Sequence, residues 1–256
     1  MQKNRPIFIS SSGRSGSTSL VGALSKVKNI DAYHGPGYKE LEKVNCLSYL
    51  RSRGMSNISE KEIIRMIKRN RDSMIQKSNL SGCTYVESSW FISALLPEII
   101  KAYPDAIVIH LVRDGRDFVR SGMNRFWFSG NPKNLKRINA WTRDRWTPVS
   151  GCKTRFQKIC WLWAEQQRVM KNGLGKIPNK NNFGTVKFED LIAGDIRWFL
   201  KKVRINASNN IKVSMEKLNK TSGKFVIDKW GNWSAGEKND AKVWMGKELK
   251  YFGYKW

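Results

Sequence analysis

The stretch that decides the fold is Pro6–Leu24, which reads PIFISSSGRSGSTSLVGAL. It opens with a short apolar run, Ile7–Ile9, of the length of a buried strand. A loop of serine, glycine and arginine follows. After it, one face of a helical pattern carries the apolar residues Leu20, Val21, Leu24 and Val27. Parallel α/β proteins use a strand, a glycine-bearing loop and a helix, in this order, to present backbone N–H groups to an anion.

The loop supplies three kinds of group that suit a bound anion. Gly13 and Gly16 allow a tight backbone path, and Arg14 adds a cation. The residues after the loop stand at a helix start, where N–H groups have no partner within the helix. The candidate anion-binding residues are Arg14, Ser15, Gly16, Ser17, Thr18 and Ser19. The same residues also fit a plain connection in which Ser17 caps the helix.

The loop differs from the phosphate-binding loop of common ATPases and kinases. Those loops follow the pattern G-x-x-x-x-G-K-[ST], in which a lysine contacts phosphates and a hydroxyl holds magnesium. Residues 13–20 read GRSGSTSL and lack the lysine–hydroxyl pair. The sequence therefore favours an anionic ligand that is bound without a metal ion.

The composition predicts a globular protein without a membrane span. The 256 residues suffice for one sizeable α/β domain or at most two small ones. No apolar run approaches the roughly 20 residues that span a bilayer, and residues 1–6 leave no room for a signal peptide. With 2 histidines and 4 scattered cysteines, a zinc site is not expected. We expect a soluble, cytoplasmic protein.

The charge of the chain is strongly positive. It has 47 Lys and Arg residues against 21 Asp and Glu residues, a formal net charge of +26. Such an excess attracts polyanions: nucleic acid, an anionic glycan, an acidic membrane surface or a phosphorylated ligand. The basic residues are spread along the chain, so an adaptation to the protein's environment explains the charge equally well.

Apolar runs of strand length alternate with helical patterns along the chain. The predicted strands are Ile7–Ile9, Asn29–Tyr33, Cys83–Glu87, Ala106–Val112 and Phe183–Phe188. Predicted helices separate them, among them Tyr38–Arg53, Pro97–Tyr103 and Lys153–Asn172. Residues 131–148 are polar and are predicted to form a surface excursion. This alternation predicts an α/β protein with one parallel sheet and helices on both of its faces.

A second candidate anion site follows the strand Ala106–Val112. Arg113 ends this strand, and Ser121 lies about two turns into the next helix. Ligands of open α/β sheets bind at the carboxyl ends of the strands, so Arg113 would stand beside the first loop if the two strands are neighbours. A guanidinium and a hydroxyl at this place could hold a second phosphate. Alternatively, residues 113–117 form a solvated cluster of ion pairs at a helix start.

With both segments in view, the chain resembles the sulfotransferases that use 3′-phosphoadenylyl sulfate (PAPS). GRSGSTSL at 13–20 is similar to their 5′-phosphosulfate-binding loop, and HLVRDGRDFVRS at 110–121 is similar to their 3′-phosphate-binding segment. VKFEDL at 186–191 and KELKYFGY at 247–254 resemble later family segments. The amino-acid sequence of the first loop is more similar to that of carbohydrate-type and bacterial members than to that of the cytosolic members that act on small phenols. The resemblance implies a P-loop-NTPase-like fold and a single sulfotransferase domain over residues 1–256.

The resemblance implies transfer of a sulfuryl group from PAPS to a hydroxyl or amine, without a metal ion. It assigns the 5′-phosphate to Arg14 and to the backbone N–H groups of residues 15–19. It assigns the 3′-phosphate, which distinguishes PAPS from ATP, to Arg113 and Ser121. Arg14 would also neutralise charge on the bridging oxygen during transfer.

A general base must accept the proton of the acceptor. His34, in a Gly/Pro loop after the second predicted strand, is the first candidate, because its ordinary pKa suits the role. Glu87 is the second, since it ends a strand at the expected cleft, and Glu40 is the third. A structural role remains open for His34, and Glu87 could instead pair with Arg14 or Arg113. His110, in mid-strand, is expected in the core.

The acceptor site is predicted to involve two insertions, residues 39–81 and 126–150. Aromatic residues there would suit stacking on a sugar, and the positive charge would suit an anionic glycan. An alternative function is a basic nucleic-acid-binding protein whose loop grips phosphates, although the sequence contains no recognisable nucleic-acid module. A nucleotide or sugar kinase is a third possibility, disfavoured by the missing lysine–hydroxyl pair.

Overall fold

The structure, a computed structural model, describes residues 4–130, 151–193, 197–205 and 225–256. Its centre is one parallel sheet of five strands in the order β2-β3-β1-β4-β5. The strands are β1 (Ile7–Ser11), β2 (Ile30–His34), β3 (Thr84–Ser89), β4 (Ile107–Val112) and β5 (Phe183–Lys187). The predicted parallel α/β fold is therefore confirmed, and each strand begins and ends within two residues of its predicted bounds.

Helices connect the strands. They are α1 (Ser17–Leu24), α2 (Tyr38–Ser52), α3 (Glu60–Leu80), α4 (Leu96–Ala102), α5 (Gly115–Asn124), α6 (Arg155–Gly175), α7 (Phe188–Ile192), α8 (Arg197–Lys202) and α9 (Ala235–Tyr251). Short 3₁₀ turns occupy Trp90–Ile92, Lys180–Asn182 and Trp230–Asn232. The predicted excursion over residues 131–148, and the predicted insertion beyond residue 130, lie outside the described residues.

The alternation of side chains along β1 shows why helices cover both faces of the sheet. Ile7 and Ile9 point to one face, where they pack with residues of α1, α7 and α8. Phe8 points to the other face and packs with residues of α2, α3, α4 and α6. All three side chains are almost completely buried. A central parallel strand buried on both faces reads as a continuous apolar run, which is what this stretch of the sequence shows.

A third apolar cluster joins α5, α6 and α9 beside the sheet. Its buried members include Phe118, Trp163 and Met245. Capping boxes fix the starts of α6 and α9: the Thr154 side chain caps α6 with Gln157, and Ser234 caps α9 with Glu237. This cluster supports the helix that carries Ser121 and anchors the carboxyl-terminal helix to it.

The described helices do not meet the combined length and hydropathy that a bilayer demands. In the part of the chain that the structure describes, no helix is both long and apolar enough to cross a membrane.

Cys46, Cys83, Cys152 and Cys160 are thiols and form no disulfide with one another.

Candidate active site

The loop after β1 has the backbone geometry of an anion cradle. Gly13, Arg14 and Gly16 all have positive φ angles, of 77°, 56° and 72°. The first hydrogen bond of α1 runs from Leu20 N to Gly16 O at 2.9 Å. The N–H groups of the three residues that begin α1 therefore have no acceptor within the helix. The predicted loop is thus built as a turn that directs backbone donors toward the end of the sheet.

Gly16 is required by packing as well as by its φ angle. A Cβ atom at this position would lie 2.0 Å from Cε2 of Phe188, the first residue of α7. The Phe188 ring also lies under the guanidinium of Arg113, with 5.0 Å between Arg113 Cζ and the ring centroid. One aromatic side chain from the VKFEDL segment thus supports the loop and the second candidate anion site together.

The structure brings the two predicted anion sites into contact. Arg113 Nη1 donates to the carbonyl oxygen of Arg14 at 2.6 Å, and Arg14 Nε donates to Ser121 Oγ at 3.0 Å. Arg113 Nη2 also donates to Asp117 Oδ2 at 3.2 Å. Arg113 Nε is buried and has no hydrogen-bond partner among the described residues. The first loop and the start of α5 therefore form one continuous basic site.

The carboxyl-terminal segment holds the turn between β4 and α5 in place. Glu189 Oε1 accepts from the N–H of Asp114 at 3.0 Å, and Glu189 Oε2 accepts from the hydroxyl of Tyr254 at 2.9 Å. Burial, together with the charge of Glu189, raises the pKa of Tyr254 far above its ordinary value, so its hydroxyl remains a donor. Glu189 and Tyr254 belong to the segments 186–191 and 247–254, which the sequence indicated only by their resemblance to the family. In the structure, these two segments hold the turn between β4 and α5.

A second set of bonds fixes the same turn from the opposite side. Arg116 forms an ion pair with Asp114 at 2.6 Å and donates to the carbonyl oxygen of Lys255 at 2.7 Å. Trp163 Nε1 donates to the carbonyl oxygen of Arg113 at 3.2 Å. The alternative prediction of ion pairs at this helix start is confirmed, since Arg116 pairs with Asp114 and Arg113 pairs with Asp117. Arg116 is buried and not solvated, and Arg113 also contacts the first loop.

His34 ends β2 and stands beside the first loop. Its Nδ1 lies 3.1 Å from the carbonyl oxygen of Ser88, and its Nε2 lies 3.3 Å from Thr18 Oγ1. A carbonyl oxygen can only accept, so Nδ1 carries the hydrogen and Nε2 presents its lone pair toward the loop. Loss of hydration lowers the pKa of His34, although the Ser88 bond and the charge of Glu87 oppose this shift. The imidazole is therefore neutral at pH 7.

Glu87 is placed differently from what its role as a candidate base requires. It is fully buried, and its two oxygens accept from Arg71 Nε at 2.6 Å and Nη2 at 3.0 Å. The hydroxyl of Tyr85 donates to the same carboxylate at 2.9 Å. Its ion-pair partner is therefore Arg71, and not Arg14 or Arg113 as the sequence suggested.

The buried pair of Glu87 and Arg71 supports the loop that carries His34. Arg71 Nη2 donates to the carbonyl oxygen of Pro36 at 2.7 Å. Gly35 N donates to the carbonyl oxygen of Ser88 at 3.3 Å, the same oxygen that binds His34. Glu87 therefore acts on the site through Arg71 and the 34–37 loop. Glu40, the third candidate, is exposed in the first turn of α2.

His110 lies in the core, as predicted. It is fully buried in β4, with its Nε2 atom 2.7 Å from Gln167 Oε1. The ring of Phe252 packs against it edge to face, with 5.3 Å between the centroids. Burial lowers the pKa of His110 to about 4, so the imidazole is neutral at pH 7.

A cavity of about 540 Å³ opens beside the first loop and His34. Its lining residues are Ser12, Gly13, Arg14, Ser17, Thr18, His34, Gly35, Lys39, Glu42, Ser89, Trp90, Phe91, Phe118, Trp127, Leu162 and Gln166. Trp127 lies in the 126–150 segment that was predicted to contribute aromatic residues to the acceptor site, whereas Trp90, Phe91 and Phe118 were not predicted as site residues. Trp90 and Phe91 follow the carboxyl end of β3 directly, and this position was a usable signal. Gln166, in the middle of a long helix, gave none.

Side chains that could ligate a metal ion do not gather in this region. Over residues 4–130, 151–193, 197–205 and 225–256, no group of three or more His, Cys, Asp or Glu residues is placed to hold a metal ion. The groups available to an anion at the first loop and the Arg113 segment include backbone N–H donors, guanidinium groups and hydroxyls.

A comparison with protein families decides how this geometry is understood. The model of the family described as "Sulfotransferase domain" matches residues 6–182, which include both anion sites, His34 and all the lining residues of the cavity. The chain belongs to this sulfotransferase family. It is therefore a sulfotransferase enzyme, and the resemblance seen in the sequence is confirmed. The nucleic-acid-binding alternative is not favoured. No curated protein matches the chain.

Solved structures share the fold of this sulfotransferase. The sulfotransferase domain of the Synechococcus PCC 7002 olefin synthase is 17% identical, with a TM-score of 0.55, covering 100% of this chain and 98% of its own. A sulfotransferase from Alicyclobacillus acidocaldarius is 15% identical, with a TM-score of 0.52. The match covers 96% of this chain and 93% of that protein. A third sulfotransferase, from Mycobacterium tuberculosis H37Rv, is 14% identical, with a TM-score of 0.52. The match covers 94% of this chain and 77% of that protein.

Proposed function

We propose that this sulfotransferase takes its sulfuryl group from PAPS and transfers it to a hydroxyl or amine of an acceptor bound in the cavity beside His34. The observation that carries the proposal is the contact between the first loop and the Arg113 segment, at 2.6 Å between Arg113 Nη1 and Arg14 O. Two basic sites this close suit one ligand that carries two separate anionic groups. The 5′-phosphosulfate and the 3′-phosphate of PAPS are such groups.

The residues of the site fit this donor. The backbone N–H groups of residues 15–19 and the side chain of Arg14 would hold the 5′-phosphate at the start of α1, where the helix dipole favours an anion. Arg113 and Ser121 would hold the 3′-phosphate. Arg113 Nε supports the assignment because it is a buried donor without a partner among the described residues, and such a donor gains most from a charged acceptor.

The residues of the chain supply electrostatic stabilisation and proton transfer. Bound PAPS supplies the sulfuryl group that passes to the acceptor oxygen or nitrogen. Arg14 neutralises negative charge at the start of α1, where charge accumulates on the leaving group. No residue of the chain needs to form a covalent bond, because positioning and charge stabilisation are sufficient for this type of transfer.

His34 is the general base of the proposed reaction. Its Nε2 lone pair faces the cavity side of the loop, and its Nδ1–H is held by the Ser88 carbonyl at 3.1 Å. The lowered pKa keeps the imidazole neutral, so Nε2 can accept the acceptor's proton at pH 7. Glu87 is not assigned this step because Arg71 and Tyr85 already occupy its carboxylate.

The acceptor is proposed to be a carbohydrate, and the whole chain is proposed to be one sulfotransferase domain. Trp90, Phe91 and Trp127 line the cavity, and aromatic rings stack on the apolar face of a sugar. Lys39 and Glu42 from the 39–81 insertion line it as well, which supports a role of that insertion in acceptor binding. The net charge of +26 suits an anionic glycan. A cytoplasmic location is proposed as well, and four cysteines without a disulfide among them agree with it.

The proposed donor is tested by thermal-shift titration with 3′-phosphoadenosine 5′-phosphate (PAP), AMP and ATP. PAP is expected to stabilise the protein at concentrations at which AMP and ATP have little effect, because only PAP carries the 3′-phosphate. Arg14→Ala and Arg113→Ala should each remove most of the PAP response. Arg69→Ala, which changes an exposed arginine on α3, is the matched control and should retain it. Equal responses to the three nucleotides would contradict the assignment.

A further inference from the structure

Gln166 is a buried polar residue in the wall of the active-site cavity. It lies on α6, is 3% exposed and lines the cavity beside the first loop. Its Oε1 atom is buried and has no hydrogen-bond partner among the residues that the structure describes. Buried side-chain oxygens are nearly always hydrogen-bonded, so an unpaired oxygen on a residue that lines a cavity is a group that a bound ligand could satisfy.

The neighbours of Gln166 on α6 satisfy their side-chain oxygens within the protein. Gln167 Oε1 lies 2.7 Å from His110 Nε2. Glu165 Oε1 accepts from the hydroxyl of Tyr49 at 3.0 Å, and Glu165 Oε2 accepts from Arg168 Nε at 3.1 Å. Both neighbours therefore have structural roles in packing α6. Gln166 lies between them and faces the cavity instead.

The wall around Gln166 is otherwise apolar. Leu162, four residues earlier, lies on the same face of α6 and also lines the cavity. Phe118 from α5 and Trp127 complete this part of the wall. A single carboxamide in an apolar wall restricts the orientation of a ligand, because it is the polar group in that part of the wall that can bond a polar group of the ligand.

We propose that Gln166 determines acceptor specificity. Its carboxamide hydrogen-bonds a second polar group of the acceptor, a hydroxyl or an amide, distinct from the group that His34 deprotonates. This inference rests on the proposed function, since it places the acceptor in the cavity beside His34. The acceptor class that fits carries at least two hydrogen-bonding groups and an apolar face between them, as a sugar ring does. A simple monohydric alcohol or phenol leaves the Gln166 carboxamide unsatisfied.

The test combines acceptor deletion with residue deletion. Wild type, Gln166→Met and Gln167→Met are assayed with PAPS on methyl glycosides and their monodeoxy analogues, with mass-spectrometric detection of the sulfated product. For one hydroxyl outside the reacting position, wild type should prefer the parent glycoside over its deoxy analogue at least about ten-fold in kcat/KM, and Gln166→Met should reduce this ratio to below about two-fold. The inference would be overturned if wild type and Gln166→Met preferred the parent glycoside over its deoxy analogue equally. It would also be overturned if the enzyme bound PAP normally but sulfated no glycoside.

A second measurement does not depend on the acceptor. Gln166→Met removes a buried oxygen without a partner among the described residues, so its melting temperature without ligand should equal or exceed that of wild type. Gln167→Met breaks the bond to His110 and should melt at a lower temperature. An equal loss in both variants would assign Gln166 a structural role and contradict the proposal. Absence of PAP binding would instead refute the proposed function, whatever the melting temperatures show.

Discussion

Arg113 Nη1 donates to the carbonyl oxygen of Arg14 at 2.6 Å, and this bond joins residues that are 99 positions apart in the chain. It follows from the order of the sheet, in which β1 and β4 are parallel neighbours and Ser11 pairs with Leu111. Both strands therefore end at the same edge, and the residues just after them meet. Because the bond uses a backbone oxygen, it fixes the guanidinium relative to the loop and not to one side chain.

Arg113→Lys is predicted to weaken binding of PAP more than binding of AMP. Lysine keeps the charge, but it cannot bond Arg14 O and a phosphate with the fixed fork of a guanidinium. The loss of one or two charge-assisted hydrogen bonds, about 2 kcal/mol, corresponds to a decrease of roughly thirty-fold in PAP affinity. AMP lacks the 3′-phosphate, so its affinity should change little. Isothermal titration calorimetry with both nucleotides measures this difference.

The control for this experiment is Arg69→Lys, which makes the same replacement at an exposed position on α3. It should bind both nucleotides as wild type does. A parallel loss of PAP and AMP affinity in Arg113→Lys would show that Arg113 organises the loop without contacting the 3′-phosphate.

The activity of the enzyme is predicted to decline at acidic pH with the titration of His34. The reaction requires the neutral imidazole, and partial burial lowers the pKa of His34 from its ordinary value. The value of kcat/KM should therefore rise with pH, with a midpoint below the ordinary histidine pKa of about 6.5. A pH profile measured with a fixed acceptor tests this prediction.

His34→Ala provides the comparison for that profile. It should bind PAP normally and lose the acidic limb together with at least about a hundred-fold of kcat, the usual contribution of a general base. Retention of the limb in this variant would exclude His34 as the titrating group.

Glu87 is predicted to be a positioning residue that contributes to stability through Arg71. Removing one partner of a fully buried ion pair leaves an uncompensated charge, which costs about 3–5 kcal/mol. Glu87→Gln and Arg71→Met should each lower the free energy of unfolding by this amount. The double variant should lose less than the sum, because no single charge is left buried. Urea denaturation of the four proteins gives the coupling energy. If Glu87→Gln were as stable as wild type but inactive, Glu87 would be the base.

Gly16→Ala is predicted to disrupt the loop through a steric clash. The new Cβ atom would meet the Phe188 ring at 2.0 Å, and the positive φ of 72° adds backbone strain. Gly54 supplies a matched control, because its φ is 68° and a Cβ atom added there would meet nothing within 4 Å among the described residues. Gly54→Ala should lose only the strain, about 1 kcal/mol. Gly16→Ala should lose several times more and bind PAP poorly. Equal losses in thermal unfolding would show that Phe188 does not restrict the loop.

The sequence was sufficient for the fold class and for placing both anion sites at one edge of the sheet. Apolar runs such as Ile7–Ile9 and the run that became β4 mark buried parallel strands, because both faces of such strands are covered. Once the sheet is parallel, the residues after β1 and β4 share one edge. Arg14 and Arg113 could therefore be placed at the same edge of the sheet from local pattern and topology, whereas the structure shows that β1 and β4 are neighbours.

The partners of Glu87 and the role of Gln166 could not be obtained in this way. Whether Glu87 faces the cleft or α3 depends on which side of the strand it occupies and on the distant Arg71, which the local pattern does not indicate. Gln166 and Gln167 are neighbours on α6, but the Gln166 side chain points to the cavity and the Gln167 side chain points to His110. This difference becomes visible only when α5 and α6 pack around the cavity. Such side-chain pairings are set by tertiary packing.

His110 is predicted to make the folded enzyme sensitive to mild acid. Burial lowers its pKa to about 4 in the folded state, whereas the unfolded chain binds the proton near the ordinary value of about 6.5. Between these values the unfolded state holds more protons, so stability falls as pH falls, by up to about 3 kcal/mol for this one residue. The decrease begins near pH 6.5 and is complete near pH 4. Denaturation of wild type and His110→Gln across this range separates the histidine from the carboxylates. Wild type should lose stability more steeply than the variant, and parallel curves would show that His110 does not titrate in this window.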